Sequence, residues 1–235
     1  MNRQTQKELL KIVEKNYIEI AKEFNETRKK ELWSELKKIS EQIKKGSKIL
    51  DVGCGNGRII DALLDKDIKY LGIDSSTNLI ELAKSNHKEQ GWAQFELGKI
   101  EELGKIKEHN FDYVFCLAVI HHIPGTQLQI EALKQLKNKV KKDGRIIISA
   151  WNLWNKPKFR SLIIKFALLK LIGKNKMDFG DILFDWKNKK GEKVSKRYYH
   201  AFTKRELKRI VKKSGLKIEK IYKDTYNYYL ILKWS

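Results

Sequence analysis

A glycine-rich turn follows a hydrophobic segment near residue 50 of this chain. Residues 49–58 read Ile-Leu-Asp-Val-Gly-Cys-Gly-Asn-Gly-Arg, which predicts a buried strand, a turn and the start of a helix. Glycines let a ligand approach the main chain without meeting a side chain. A dinucleotide-binding turn has the spacing G-x-G-x-x-G. Here the third glycine comes one residue early, and Asp51 would repel a pyrophosphate but can accept hydrogen bonds from an ammonium group.

A second acid stands where the next predicted strand ends. Asp74 follows the segment 70–73 and lies 23 residues after Asp51. An acid at such a strand end, roughly 20 residues past the turn, can accept hydrogen bonds from both hydroxyls of a ribose. The turn and the two acids suit a ligand with a ribose, an amino-acid head and no phosphate, a description that S-adenosylmethionine fits. The predicted cofactor-binding residues are Asp51, Gly53, Cys54, Gly55, Gly57, Arg58, Asp74, Ser75 and Leu117.

Predicted strands and helices alternate up to residue 151. The hydrophobic periodicity predicts strands at 48–53, 69–73, 92–97, 112–118 and 145–151, and helices at 4–24, 28–45, 57–64, 76–89 and 127–140. The capping box Thr203-x-x-Glu206 marks the start of a later helix. Beyond residue 151 the sequence predicts a helix at 156–172, an irregular basic stretch at 173–197, a helix at 203–214, and strands at 217–223 and 227–233.

This order of elements predicts an α/β fold. We expect a doubly wound, mostly parallel seven-stranded sheet with a C-terminal antiparallel hairpin. We also expect one domain over residues 1–235, with N-terminal helices at 1–46 and a basic insertion at about 152–200. Together with the glycine turn and the strand-end acid, the pattern closely resembles the class I methyltransferases, whose fold is Rossmann-like and whose cofactor is S-adenosylmethionine.

Basic residues are concentrated in the last third of the chain. The 50 lysines and arginines exceed the 29 acids, for a net charge of +21. Residues 156–235 carry a net +16, whereas residues 1–155 carry a net +5. A surplus of this kind attracts polyanions through their phosphates, and nucleic acid is the obvious candidate.

The cysteines and the hydropathy indicate the compartment. Cys54 and Cys116 form no C-x-x-C pair, which argues against a disulfide framework and a cysteine-based zinc site and suits a reducing cytoplasm. The first residues do not resemble a signal peptide. The most apolar run, 161–173, has 13 residues and two lysines, too short and too charged to span a bilayer. We predict a cytoplasmic protein with no metal site and no membrane partner.

Three further segments resemble one family of methyltransferases, the tRNA 5-carboxymethyluridine methyltransferases. Residues 118–122 read A-V-I-H-H, like that family's strand end, and residues 197–202 read R-Y-Y-H-A-F, like its signature R-Y-Y-H-x-F. The third segment is similar to the family's opening Y-x-x-I-A-x-x-F-S-x-T-R-x-x-x-W, with the tryptophan displaced by one residue. It consists of Tyr17, Ile20, Ala21, Phe24, Asn25, Thr27, Arg28 and Trp33.

The resemblance implies methyl transfer from S-adenosylmethionine to the carboxylate of a 5-carboxymethyl group on a tRNA wobble uridine. A carboxylate is ionised at neutral pH, so this displacement needs orientation more than a general base. Arg28 and Arg197 are candidates to hold the carboxylate or nearby phosphates, Tyr198 to stack on the base, and His121 and His200 as further catalytic residues. The implied partners are tRNA and a small zinc-binding activator, which some relatives require.

Several assignments stay open in the sequence. Within the pairs 121–122 and 198–199, one member is expected to be structural. Lys99 stands where many such enzymes have an aspartate for the adenine amino group, so backbone groups, Glu101 or Glu102 are candidates for that contact. Two alternatives to the tRNA enzyme follow: a class I methyltransferase of a small metabolite, and a non-catalytic relative that binds tRNA.

Overall fold

The computed structural model describes residues 1–28, 32–187 and 190–234, with side chains throughout except at residues 27 and 28. Its strands are β1 (Lys48–Val52), β2 (Lys69–Asp74), β3 (Ala93–Leu97), β4 (Phe111–Leu117), β5 (Val140–Trp151), β6 (Asp181–Lys187), β7 (Lys193–His200), β8 (Leu216–Lys223) and β9 (Asn227–Trp234). Its α-helices are α1 (Arg3–Glu19), α2 (Ala21–Arg28), α3 (Ser34–Glu41), α4 (Thr77–Asn86), α5 (Thr126–Lys139), α6 (Pro157–Leu171) and α7 (Lys204–Lys213).

Seven strands form one sheet in the order β3-β2-β1-β4-β5-β9-β8. β9 runs antiparallel to its neighbours β5 and β8, and the other pairs in this sheet are parallel. The predicted fold class is therefore confirmed, with the hairpin β8–β9 at one edge. The strand order reverses between β1 and β4, and the crevice beyond the carboxyl ends of the strands at such a point is where ligands bind in these sheets.

Helices cover both faces of this sheet and explain why its central strands are continuous hydrophobic runs. Successive residues of a strand point to opposite faces. Thus Leu50 packs in the cluster that includes residues of α5 and α7, while Ile49 packs in the cluster that includes residues of α3 and α4. The capping box at the start of α7 is confirmed, since the side chains of Thr203 and Glu206 each accept from the other's backbone N–H.

Three predicted helices differ from those observed. The helix predicted at 28–45 is α3, Ser34–Glu41, and positions 29–31 of the predicted range lie outside the described residues. The segment predicted as a helix at 57–64 forms a short 3-10 helix, Arg58–Ala62, because a few residues separate the glycine turn from the buried Leu63 and two of them are β-branched isoleucines. The predicted helix at 4–24 is divided at Ile20, whose φ of −98° and ψ of 1° end α1 before α2 begins.

The prediction of an irregular stretch at 173–197 is wrong in part. Residues 181–187 and 193–200 pair as the antiparallel strands β6 and β7, which form a separate two-stranded sheet. The lysines of β7, Lys193 and Lys196, are exposed, whereas the segment 197–200 at its other end is buried. The hairpin thus has one end exposed to water and one buried end, and charged residues at both ends hid the strand pattern.

α6 packs on this hairpin through Ile163, which is buried in a cluster with Ile182 and Tyr199. On its other face Ile164 and Leu168 are exposed. None of the helices in the described ranges is long and apolar enough to cross a membrane.

Candidate active site

A cavity of about 500 Å³ lies at the carboxyl ends of the central strands. We call two regions of its wall the cofactor end and the acceptor end. The cofactor end is formed by Asp51, Gly53, Cys54, Gly55, Arg58, Asp74, Ser75, Lys99 and Glu101. The acceptor end is formed by His122, Trp151, Lys156, Asp224, Tyr226 and Asn227. Residues of the N-terminal helices, among them Val13, Tyr17 and Phe24, cover the cavity.

The glycine turn forms a cradle of exposed backbone at the cofactor end. Gly53 and Gly55 have φ angles of +74° and +59°, in the left-handed region that favours glycine. A Cβ atom on Gly53 would lie 2.2 Å from Cγ2 of Val119, and one on Gly55 would lie 3.2 Å from the Phe24 ring. Neither position has room for a side chain, so the main chain itself forms this part of the wall.

Asp51 has one carboxylate oxygen with a hydrogen-bond partner and one without. Oδ2 accepts from the Tyr70 hydroxyl at 2.8 Å, and the buried Oδ1 has no partner among the described residues. Burial, opposed by the Tyr70 hydrogen bond and reinforced by the charge of Asp74, raises the pKa of Asp51 to about 7. A cationic ligand would satisfy Oδ1 and favour the ionised carboxylate, so this residue fits the ammonium group of an amino-acid head.

Asp74 is held by the backbone at the end of β2. Its Oδ2 accepts from the Gly55 N–H and its Oδ1 from the Ser76 N–H, each at 2.9 Å. Burial raises the pKa of Asp74, against the lowering effect of the hydrogen bonds from the backbone. Each oxygen keeps further lone-pair capacity, and such fixed oxygens fit the two hydroxyls of a ribose.

At the cofactor end, Lys99 stands where many class I methyltransferases have an aspartate for the adenine amino group. The Lys99 ammonium pairs with Oε2 of Glu14 from α1 at 3.1 Å, and both side chains are about 40% exposed. Of the two candidate glutamates, Glu101 lies on the cavity wall, whereas Glu102 is outside it and pairs with Lys105 at 2.7 Å. The ion pair links α1 to this wall.

Ala118, directly after β4, has a φ of +57°, which is uncommon for a residue with a Cβ. Its N–H donates to both the carbonyl and the Oγ of Ser149, each at 3.0 Å, and these bonds hold the unusual conformation. The conformation directs the following Val119 against Gly53. Strained residues of this kind cluster at functional sites.

Eight of the nine predicted cofactor residues lie on the cavity wall, including Leu117. Gly57 does not, and this assignment is corrected. Its φ of +79° begins the 3-10 helix, and a Cβ there would lie 2.7 Å from the ring of His87. Gly57 thus allows close packing behind the cradle. Cys54 is buried, and burial raises the pKa of its thiol, which leaves it a small packing residue on the wall.

The histidine pair divides its roles opposite to the prediction. His121 is fully buried behind the wall, where its ring stacks on Trp151 at 5.3 Å and its Nδ1 accepts from the Trp151 N–H at 3.4 Å. His122 is the member on the cavity wall. The structure thus places His122 on the wall instead of His121, the predicted catalytic candidate, because a 3-10 turn after β4 directs the second histidine inward.

His122 is held between two partners in its neutral form. Its Nδ1 lies 3.3 Å from the Tyr198 carbonyl, which can only accept, so Nε2 accepts from the Tyr17 hydroxyl at 2.8 Å. Burial, with a further effect from the charge of Arg197, lowers the pKa of His122 to about 3. Burial also lowers the pKa of His121 well below its ordinary value. Both rings are therefore uncharged at neutral pH.

The signature segment 197–202 lies behind the cavity and not on its wall. The Arg197 guanidinium lies 3.7 Å from the centre of the Trp186 ring and donates to Asn16 of α1 at 3.0 Å and to the Tyr199 hydroxyl at 2.9 Å. It is buried and lines no part of the cavity wall. Arg197 therefore holds α1 against the hairpin, and the structure does not bring it to the cavity, so its contact with the acceptor stays a prediction.

Tyr198 and His200 share one buried acid. The Tyr198 hydroxyl donates to Oδ1 of Asp181 at 2.8 Å, and His200 Nδ1 lies 2.7 Å from the same oxygen. Tyr198 is 1% exposed, so it forms no platform for a base, and neither residue touches the cavity. The structure gives both side chains a structural contact with Asp181, and their predicted catalytic roles stay predictions. Arg28 lies outside the residues whose side chains the structure describes.

The sequence did not point to most of the acceptor end. Trp151 ends β5, Lys156 precedes α6, and the segment 224–227 forms the turn between β8 and β9. These residues are far apart in the chain and belong to no shared motif. One usable signal is the Asp224 turn, which presents Tyr226 with 62% of its surface exposed. No cluster of three or more metal-ligating side chains occurs in the described ranges.

The sequence profile described as "Methyltransferase domain" matches residues 43–215, about three quarters of the chain. The chain belongs to this family. The match extends from the residues before β1 to the end of α7, and so includes the cradle, both acids and β4 with its histidine pair.

Two curated relatives indicate different acceptors. The tRNA (carboxymethyluridine(34)-5-O)-methyltransferase alkbh8 of Xenopus tropicalis is 26% identical over 94% of this chain. A ubiquinone biosynthesis O-methyltransferase of Rickettsia conorii is 34% identical over 67% of this chain. The chain spans 40% of the first relative's length and 53% of the second's.

A solved structure supports the fold. The 1,6-didemethyltoxoflavin-N1-methyltransferase of Burkholderia thailandensis, solved with S-adenosylhomocysteine, aligns with a TM-score of 0.68 at 15% identity, over 98% of this chain and 91% of its own. Within this chain, the family membership, the cradle, the free oxygen of Asp51 and the fixed carboxylate of Asp74 identify S-adenosylmethionine as the cofactor. The described fold and site are those of a methyltransferase domain.

Proposed function

We propose that this methyltransferase esterifies the carboxylate of a 5-carboxymethyl group on the wobble uridine of a tRNA. The cofactor, when bound, supplies a methyl group on a sulfonium sulfur. The acceptor oxygen forms a bond to that methyl carbon as the methyl–sulfur bond breaks, the sulfur keeps the electron pair, and no proton moves. The proposal includes the cytoplasm as the compartment, where tRNA is available.

The observation that carries the proposal is that His122, the histidine at the acceptor end, is buried and already accepts a hydrogen bond from Tyr17. A hydroxyl acceptor needs a general base whose pKa lies near the working pH. His122, the histidine on the wall, has a pKa of about 3 and already accepts from Tyr17, and His121 lies behind the wall. Neither is suited to remove a proton at neutral pH. A carboxylate arrives ionised and needs no base, so this end suits it better than an alcohol or phenol.

The extent of the similarity and the charge also support an RNA acceptor. The Xenopus tRNA enzyme matches 94% of the chain, whereas the Rickettsia quinone enzyme matches 67%. The net +16 of residues 156–235 suits a polyanion. The complete cradle and both acids favour catalysis over a relative that binds tRNA without methylating it.

In this proposal the chain's own residues bind and orient the two substrates. Asp51 holds the ammonium group of the cofactor, and Asp74 holds its ribose. The backbone at Gly53 lies beside the amino-acid head. His122 keeps its ring neutral beside the acceptor, and α1 covers the reacting centre so that water is excluded.

The test is methyl transfer from tritiated S-adenosylmethionine to tRNA that carries 5-carboxymethyluridine, followed by mass spectrometry of the nucleosides. We propose a small zinc-binding activator as a second partner, so the assay is run with and without the host's activator. The expected product is the methyl ester at the wobble position, and the matched control is the same tRNA with an unmodified uridine. Absence of the ester under both conditions contradicts the proposal.

A small-molecule acceptor is the second candidate. It is favoured by the 34% identity to the Rickettsia enzyme, whose acceptor belongs to ubiquinone biosynthesis, and by a cavity large enough for a small ring system. Tritium transfer to a small-molecule extract of the host, with none to its RNA, would favour this candidate over the tRNA enzyme.

A further inference from the structure

The acceptor end contains a lysine that pairs with no described acid. The Lys156 ammonium lies 5.5 Å from the centre of the Trp151 ring and 5.2 Å from that of Tyr226, on the cavity wall. It forms no ion pair with any residue in the described ranges. At the cofactor end, by contrast, Lys99 is neutralised by Glu14. Lys156 is therefore a positive charge available to a ligand.

The backbone fixes Lys156 on both sides. Its N–H donates to the Leu153 carbonyl at 3.1 Å, and its own carbonyl accepts from the N–H groups of Phe159 and Arg160 at 3.0 Å each. Pro157 follows it and restricts it to the extended region, which its φ of −108° and ψ of 116° occupy. The lysine thus extends from a rigid junction between a 3-10 turn and α6.

The facing turn is fastened to the same junction. The Asn152 N–H donates to the Tyr226 carbonyl at 2.7 Å, and the Asn155 amide donates to the Thr225 carbonyl at 3.0 Å. These bonds hold the Tyr226 ring beside the Lys156 ammonium. Trp151, Lys156 and Tyr226 therefore form a built subsite of two aromatic rings and one cation at the mouth of the cavity.

The acid nearest to this subsite in the turn is occupied. Oδ1 of Asp224 accepts from the N–H groups of Tyr226 and Asn227 at 2.6 Å each, and Oδ2 accepts from the Tyr229 hydroxyl at 3.0 Å. These donors hold the Asp224 carboxylate in the turn, and no ion pair joins it to Lys156. The Lys156 ammonium is consequently the group of this subsite that can bind an anion, and with the two rings it fits a planar ring that carries a negative group.

We propose that Lys156 is the specificity-determining residue of the acceptor end: its ammonium binds the carboxylate of the acceptor while the acceptor ring stacks on Tyr226. This inference rests on the proposed function and adds the residue that distinguishes a carboxylate from its uncharged amide. A charge-assisted hydrogen bond is shorter and stronger than a neutral one, so the subsite favours the anion over an isosteric amide. Stacking on Tyr226 depends little on that charge.

The experiment measures binding of two nucleosides to the full chain with S-adenosylhomocysteine present, by calorimetry or ligand-observed NMR. The probes are 5-carboxymethyluridine and its neutral isostere 5-carbamoylmethyluridine. The variant is Lys156→Met, and Lys156→Arg tests rescue by another cation. The matched control is Lys158→Met, an exposed lysine two residues away whose loss changes the net charge equally.

We expect the wild type to bind the carboxylate about tenfold or more tightly than the amide. Lys156→Met should abolish this preference without weakening amide binding, Lys156→Arg should restore most of it, and Lys158→Met should leave it within about twofold. Tyr226→Ala should weaken both nucleosides to a similar extent, by about tenfold. Affinity for S-adenosylhomocysteine should stay unchanged in every variant.

The inference would be overturned if Lys156→Met weakened the binding of both nucleosides equally, or if the wild type showed no preference for the carboxylate. A wild type that binds neither nucleoside would do the same. The proposed function fails on a different result, the absence of methyl transfer to modified tRNA. The two experiments can also disagree. If the chain prefers the carboxylate through Lys156 but does not methylate tRNA, the subsite binds a carboxylate that belongs to another acceptor.

Discussion

The cofactor end and the acceptor end of the cavity are built in opposite ways. At the cofactor end the cradle and its acids belong to one stretch, from Asp51 to Asp74, and each is fixed by neighbours within β1, β2 and the turn between them. At the acceptor end, the segment after β4, the end of β5, the junction before α6 and the turn after β8 each supply one to three side chains. A local motif therefore determines the first end, and the tertiary fold determines the second.

The charges of the two ends also differ. The cofactor end has two buried carboxylates whose pKa values are raised. The acceptor end has a neutral histidine, a carboxylate held by the turn at Asp224, and a lysine with no ion pair among the described residues. The first arrangement suits a cationic ligand, and Lys156 at the second suits the anionic acceptor of the proposed function.

The largest effect is expected from the pH dependence of stability at the cofactor end. The folded state raises the pKa of Asp51 to about 7, so the folded chain without cofactor binds this proton more tightly than the unfolded chain. The unfolding free energy should therefore fall as pH rises from about 4 to about 7, by up to about 4 kcal/mol, and level off above. Urea unfolding across this range measures it.

Asp51→Asn is the matched control, since the amide has no charge to bury. The unfolding free energy of the wild type, relative to that of the variant, should fall as pH rises from about 4 to about 7. Parallel curves for the two proteins would contradict the burial of an ionisable group at this position.

The next effect concerns the cradle. Gly53→Ala places a Cβ 2.2 Å from Val119 Cγ2 in a backbone with φ of +74°, and should cost about 3 kcal/mol of stability together with most of the cofactor affinity. Gly46 also has a positive φ, +75°, but a Cβ there would meet no atom within 4 Å. Gly46→Ala should therefore cost about 1 kcal/mol of stability and leave cofactor binding unchanged. Chemical denaturation and calorimetry measure both variants.

A smaller effect is expected at the acceptor end, in the pH profile of methyl transfer. His122 has a pKa of about 3, so the maximal rate should be flat between about pH 6 and about pH 8. Tyr17→Phe removes the hydrogen bond to Nε2 and should cost about 1 kcal/mol of stability without introducing a pH step. If the maximal rate changed with pH in this range and His122→Gln removed that change, His122 would be a general base. That result would favour a hydroxyl acceptor.

The smallest effect is expected at Lys99. Its ion pair with Glu14 is about 40% exposed on both sides, and such pairs contribute less than about 1 kcal/mol. Lys99→Met should therefore change cofactor affinity by less than about threefold in calorimetry. Lys105→Met, which removes a similar pair outside the cavity, is the control. A loss of tenfold or more in Lys99→Met alone would make this lysine a direct cofactor ligand.

The contrast between the cofactor end and the acceptor end also explains which features could be predicted from the sequence. The seven-stranded sheet follows from periodicity. The predicted cofactor residues come from the turn at 51–58 and from the ends of the next strands, and all of them except Gly57 lie on the cavity wall. The signature R-Y-Y-H-A-F also predicted importance, but a motif gives no direction for its side chains. Arg197 and His200 face inward because β7 pairs with a strand that the charge pattern concealed.

Lys156 and Tyr226 could not be predicted as neighbours. Each belongs to a segment with no chemical motif, and the hydrogen bonds that join them involve backbone carbonyls and asparagine side chains. The choice between His121 and His122 likewise depends on a 3-10 turn of three residues, too short to give a period in the sequence.

The cavity wall includes both Val13 of α1 and Tyr226 of the turn before β9, and this has a consequence for biosynthesis. Domains emerge from the ribosome in order, N-terminal part first. A nascent chain exposed only to residue 200 already contains the glycine turn and both acids, yet it lacks β9, which pairs with β5 in the sheet, and Tyr226 of the acceptor end. The wall that faces α1 is therefore completed only after the turn before β9 has been synthesised.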